Sequence, residues 1–104
     1  QQDIVDNNML APIVGHAGDG NFHVLVLFDG KDPTSVAHTE AFVARLNRRA
    51  IEMDGTCTGE HGIGQGKMSF LAEEVGGALD VMIAIKRSLD PDNIFNPGKL
   101  FHAQ

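Results

Sequence analysis

Residues 9–28 read MLAPIVGHAGDGNFHVLVLF, two apolar and β-branched runs on either side of an Asp19-Gly20 dipeptide. Asp-Gly between such runs is typical of a two-residue hairpin turn, so the stretch predicts a β-hairpin. Pro12 lacks a backbone N–H, which places the first strand at an edge or at a bulge near its start.

Three helices are predicted after the hairpin. The first begins at a Thr34 or Ser35 cap and is stopped by Gly55. Residues 67–75 and 78–89 show apolar side chains at helical spacing and predict the other two. A hairpin followed by helices predicts an α+β fold, an antiparallel sheet with helices packed on one face.

Composition narrows the class of protein. The 104 residues are 42% apolar and 21% charged, which suits one globular domain. A net charge of −6 without a basic cluster argues against nucleic acid as a partner. No apolar run approaches about 18 residues, the N-terminus lacks a secretion signal, and the single Cys57 fits a reducing compartment. We expect a soluble, cytoplasmic protein, with peripheral membrane attachment as the alternative.

Two histidines flank the predicted turn. Counting outward from Asp19-Gly20 places His16 directly opposite His23. Directly paired side chains leave the same face with Cβ atoms about 4.5–5.5 Å apart, so both imidazoles can reach one ion. The other interpretation, that one histidine caps a strand and the other is exposed, stays open at this point.

A glycine-rich loop, TCTGEHGIGQG at 56–66, follows the first predicted helix. Glu60 is the best source of a third ligand, and a set of two histidines and one carboxylate from His16, His23 and Glu60 suits Zn²⁺, Mn²⁺ or Fe²⁺. His61 is then a candidate general base. The alternative is a solvated Glu-His turn, and Cys57 is expected to be a packed thiol.

Three blocks of this sequence, HAGDGNFH at 16–23, GTCTGEHGIGQGK at 55–67 and LDPDNIFNPGKL at 89–100, resemble the C-terminal part of the FAD-linked oxidases that act on D-2-hydroxy acids. The block at 55–67 looks closest to the cytochrome-type D-lactate dehydrogenases, with the glycolate oxidase flavin subunit as a near relative. The blocks cover most of the chain.

The resemblance implies that residues 1–104 are the final, substrate-side portion of a larger flavoenzyme whose FAD-binding domain lies outside the chain. By this resemblance, the metal ligands of the family correspond to His16, His23 and Glu60. Its base corresponds to His61, and a flavin contact corresponds to Asn96. The cofactors implied are FAD and a divalent metal, Zn or Mn. The isolated chain is expected to be inactive and to associate with itself through exposed strand edges.

The implied reaction is oxidation of a small 2-hydroxy acid to the 2-oxo acid, with a cytochrome, a quinone or an electron-transfer flavoprotein as electron acceptor. D-Lactate and glycolate are the expected substrates. The D-2-hydroxyglutarate enzymes place an asparagine two residues after the second histidine, where this chain has Leu25. A metal-dependent hydrolase and a non-catalytic metal-binding module are the alternatives.

Overall fold

The chain has an α+β fold, as predicted. The computed structural model describes residues 1–102, and the chain divides into two compact units, Gln1–Leu46 and Asn47–Gln104. Over the described residues there are one two-stranded antiparallel sheet and four α-helices. In chain order the elements are α1 (Gln2–Asp6), β1 (Ile13–His16), β2 (Asn21–Val24), α2 (Pro33–Glu52), α3 (Met68–Val75) and α4 (Ala78–Leu89).

The predicted hairpin is present, but its turn is longer than expected. A short 3-10 turn, Ala17–Asp19, joins β1 to β2, and Gly20 follows it with a φ of 69°. A two-residue type I′ turn needs positive φ at both central residues, whereas here Gly20 takes that conformation and Asp19 stays in the 3-10 turn. The direct pairing of His16 with His23 is therefore wrong, because the register is shifted by two residues.

Helix α1 in the first unit has no counterpart among the predicted elements. Its five residues are too few to show a helical period, and a helix this short is marginal by itself. The guanidinium of Arg45 holds it from α2, donating from Nε to Asp3 Oδ2 at 3.0 Å and from the terminal nitrogen to Asp3 Oδ1 at 2.8 Å. The main buried side chain of this unit is Phe42.

Helix α2 has the predicted extent but a different cap. Asp32 Oδ1 accepts the Thr34 N–H at 3.0 Å, so Asp32 takes the place expected of Thr34 or Ser35. Pro33 then occupies the first helical position, where its missing N–H costs nothing. At the other end, Gly55 donates to the Ala50 carbonyl at 2.8 Å, and a Cβ on Gly55 would lie 2.9 Å from that oxygen.

The second unit contains α3 and α4, which pack against each other and match the predicted helices. Leu71 on α3 and Cys57 before it are buried, which confirms the expectation of a packed thiol. Asp90, directly after α4, is buried as well. No helix within residues 1–102 has the length and apolar character that crossing a membrane requires.

Candidate functional site

The hairpin of the first unit carries both predicted histidine ligands on one face. His16 lies opposite Asn21, and His23 lies opposite Val14. Opposed residues share a face, and so do residues two apart on one strand, so these four side chains leave the sheet on the same side. The histidines are diagonal neighbours, about 7–8 Å apart at the backbone, which is still within reach of long side chains.

Asn21 is next to both histidines on this face, opposite His16 and two residues before His23. Its Oδ1 atom is buried, and among the described residues it has no hydrogen-bond partner. A buried acceptor without a donor costs about 1–3 kcal/mol, so such an atom calls for an external partner. Imidazole nitrogens and amide oxygens are donor types that bind divalent cations in proteins.

The loop between α2 and α3 in the second unit carries Glu60 and His61. Both side chains are exposed, and His61 Nε2 lies 3.5 Å from Glu60 Oε1. Thr58 Oγ1 donates to the Gly62 carbonyl at 3.1 Å and closes the turn that contains them. Gly62 has a φ of 77°, a conformation that favours glycine, so the local sequence suits this turn.

The start of this loop is held by two side chains that the sequence interpretation did not single out. The Cys57 N–H donates to Glu74 Oε2 at 2.9 Å, and Lys67 Nζ donates to the Cys57 carbonyl. The N–H of Cys57 is the largest cause of the lowered pKa of Glu74. Burial, with a further contribution from Glu74, raises the pKa of the Cys57 thiol to about 11.

No local sequence pattern could have identified Glu74, because it contacts the loop from α3, 17 residues beyond Cys57. Lys67 follows the glycine-rich run, whose spacing does not match that of a phosphate-binding loop. Its Nζ donates to the backbone carbonyl of Cys57.

Asn96 lies in the segment after α4 and is exposed. Asp90 organises this segment, since its carboxylate accepts the N–H groups of Ile94 and Phe95, both at 2.9 Å. Asn96 has a φ of 46°, which asparagine tolerates better than most residues.

Within each unit, the structure brings two of the predicted site residues together. His16 and His23 share one face of the hairpin in the first unit. Glu60 and His61 are neighbours in the loop between α2 and α3 of the second unit, and Asn96 lies in the same unit, after α4.

The matches to known proteins all agree with the family that the sequence resembles. The family described as FAD linked oxidases, C-terminal domain, matches residues 1–100. "Probable D-lactate dehydrogenase, mitochondrial" of Danio rerio is 56% identical over 99 residues, which are 94% of this chain and 20% of the relative. "D-lactate dehydrogenase [cytochrome], mitochondrial" of Arabidopsis thaliana is 46% identical over 95 residues, 90% of this chain and 17% of the relative.

A third relative carries a different enzyme name. "Glycolate oxidase subunit GlcD" of Bacillus subtilis is 42% identical over 88 residues, 84% of this chain and 19% of the relative. The chain spans about a fifth of the length of these curated relatives. Because the family match covers nearly all of its residues, the chain belongs to the family of C-terminal domains of FAD-linked oxidases.

Proposed function

We propose that the chain is the substrate-side, C-terminal part of a flavin-dependent dehydrogenase that oxidises D-lactate or glycolate to the 2-oxo acid. Family membership and the names of the relatives support this class of reaction. The observation that carries the proposal is the shared hairpin face of His16 and His23, where the adjacent Asn21 Oδ1 has no hydrogen-bond partner among the described residues.

In this proposal His16, His23 and Glu60 bind a divalent ion, Zn²⁺ or Mn²⁺. Imidazole nitrogens and a carboxylate oxygen are suitable donors for these ions, and three protein ligands leave room for substrate oxygens. A bound ion supplies Lewis acidity towards the substrate hydroxyl.

His61 is proposed as the general base. Its imidazole is exposed and adjacent to Glu60, so a substrate hydroxyl held at the ligand set could approach it. His61 would accept the hydroxyl proton, and a bound flavin would supply the acceptor for the hydride that leaves C2 of the substrate. Glu60 Oε1 lies 3.5 Å from His61 Nε2, so the carboxylate is placed to orient the ring.

The flavin is proposed to bind mainly to a domain outside this chain, with the exposed Asn96 at its edge. A cytochrome is the favoured electron acceptor, since a relative carries that word in its name. A hydrolase with the same ligands would need no flavin, so the family favours the dehydrogenase. The cytoplasmic location stays a prediction. Two of these relatives are named mitochondrial, which does not support it.

The test uses the full-length protein, with bound metal measured by mass spectrometry and turnover measured on D-lactate, glycolate and D-2-hydroxyglutarate with a dye acceptor. Alanine at His16, His23 or Glu60 should remove the metal and the activity. His61→Gln should keep the metal and lower turnover by about 10²–10⁴-fold.

His38→Ala is the matched control, since His38 lies on α2 and contacts Asn7 at 3.4 Å. It should change neither metal content nor turnover. Unchanged metal content and turnover in both His16→Ala and Glu60→Ala would contradict the assignment.

A further inference from the structure

The backbone of Cys57 is held at both of its polar groups. Glu74 Oε2 accepts its N–H at 2.9 Å, and Lys67 Nζ donates to its carbonyl. Cys57 is 3% exposed, so these bonds are partly shielded from water. Neither Glu74 nor Lys67 has a part in the chemistry proposed above.

Glu74 is well placed to act as a fixed acceptor. It is half-buried on α3, and the Thr56 side chain also bonds to it. The positive charge of Lys67 contributes to the lowered pKa of Glu74, so the carboxylate stays ionised and able to accept at neutral pH. A hydrogen bond to an ionised acceptor is roughly twice as strong as a neutral one.

The backbone of Cys57 lies directly before the segment that carries Glu60 and His61. Cys57 precedes Glu60 by three residues, and the Thr58 to Gly62 bond closes the turn on the other side. Beyond that turn, the Leu100 N–H donates to the Gly64 carbonyl at 2.8 Å. The exposed pair thus lies between anchored points of a loop that has no regular secondary structure.

We propose that Glu74 and Lys67 are positioning residues that hold the backbone of Cys57 and thereby fix the loop that presents Glu60 and His61. This proposal rests on the roles proposed above for Glu60 and His61. Groups that orient metal ligands commonly contribute about 10–100-fold to metal affinity or activity.

The experiment uses the full-length protein with three readouts: Zn²⁺ affinity by chelator competition, kcat on D-lactate, and the labelling rate of Cys57 by a thiol reagent followed by peptide mass spectrometry. Glu74→Ala should weaken Zn²⁺ binding and lower kcat about tenfold each. It should also speed Cys57 labelling, because the thiol becomes accessible.

Glu74→Gln tests the mechanism by conservative rescue. The Gln amide oxygen can still accept the Cys57 N–H, so this variant should recover most of the Zn²⁺ affinity and kcat. Lys67→Met, which removes the donor to the Cys57 carbonyl, should weaken Zn²⁺ binding in the same direction as Glu74→Ala.

Two controls on α3 separate positioning from general stability. Glu73→Gln alters the neighbouring carboxylate, which faces Arg48 at 3.6 Å, and should change none of the readouts. Leu71→Ala removes a buried side chain without touching the bonds to Cys57, so it should lower the thermal midpoint and leave Zn²⁺ affinity and kcat unchanged below that midpoint.

The proposal is overturned if Glu74→Ala leaves Zn²⁺ affinity and kcat unchanged, or if Leu71→Ala lowers them as much as Glu74→Ala does. A parallel Glu60→Ala variant shows whether the positioning role or the ligand role is wrong. If Glu60→Ala loses Zn²⁺ and Glu74→Ala retains it, only the positioning role is wrong. If Glu60→Ala also retains Zn²⁺, the proposed ligand role is wrong and the positioning role falls with it.

Discussion

His16 lies directly opposite Asn21 in the pairing of β1 with β2, and His23 follows Asn21 by two residues on the same face. A strand alternates its side chains between two faces, so a one-residue slip of either strand would send one histidine to the opposite side. The pairing of these two short strands therefore controls whether the two imidazoles stay together.

Gly15→Ala should disrupt this pairing. A Cβ at position 15 would lie 2.5 Å from both the Asn21 carbonyl oxygen and the Phe22 Cα, which are backbone atoms that cannot rotate away. We expect a loss of about 1–3 kcal/mol in the free energy of unfolding, from urea denaturation, together with loss of bound metal.

Gly18→Ala is the matched control for Gly15→Ala. Nothing lies within 4 Å of a Cβ built at position 18, and its φ is outside the left-handed region. Its free energy of unfolding should stay within about 0.5 kcal/mol of the unmodified protein. Equal losses from the two variants would contradict the close approach at Gly15.

Arg45→Lys should loosen α1. Lysine keeps the positive charge but cannot make the two parallel hydrogen bonds that the Arg45 guanidinium makes to Asp3. Hydrogen exchange of the α1 amides should become faster, and the difference from the unmodified protein should shrink in high salt. Arg48→Lys, at an exposed pair 3.6 Å long, should leave α1 exchange unchanged.

Asp90→Asn should reduce stability at neutral pH. The pKa of Asp90 is lowered, first by the hydrogen bond from Lys86 and then, against an opposing effect of burial, by the N–H groups of Ile94 and Phe95. A carboxyl whose pKa is lower in the folded state contributes stability above its unfolded pKa, about 3.9, and loses it as the pH falls through the folded pKa.

The urea midpoint of Asp90→Asn should therefore lie below that of the unmodified protein at pH 7, and the gap should narrow in acid below the ordinary aspartate pKa. Asp92→Asn, at an exposed position two residues later, is the control and should show no gap at either pH. A gap for Asp90→Asn that does not depend on pH would argue against the ionised carboxylate as its source.

Phe42→Ala should be the most damaging of these changes. Phe42 is 2% exposed, and removing a buried aromatic ring costs about 3–5 kcal/mol of unfolding free energy. Phe28, in the same unit, is 51% exposed, so Phe28→Ala should cost far less. Urea denaturation of both variants measures the difference, and similar losses would place the core of this unit elsewhere.

Local patterns accounted for most of the secondary structure. The apolar runs around Asp19-Gly20 identified the hairpin, and helical spacing identified α2, α3 and α4 to within a residue or two. Such patterns succeed because each depends on neighbours a few residues apart. The prediction that His16 and His23 share one face of the hairpin is also confirmed. An error of two residues in the register preserves the side to which each side chain points.

The remaining features depend on contacts between distant parts of the chain. Helix α1 is held by Arg45, 42 residues beyond Asp3, and the loop backbone at Cys57 is held by Glu74, 17 residues further on. Short-range periodicity does not predict partners that lie this far apart in the chain. The turn length was likewise set by the backbone angles of Asp19 and Gly20 in the folded hairpin, which the dipeptide alone leaves open.

The order of residues was thus enough to establish the class of fold, the family and the candidate donors, because composition, period and motif are local properties. Folding was needed to show that His16 faces Asn21, that Asn21 Oδ1 is buried without a partner among the described residues, and that Glu74 holds Cys57. Burial and long-range hydrogen bonds arise only when segments far apart in the chain pack together.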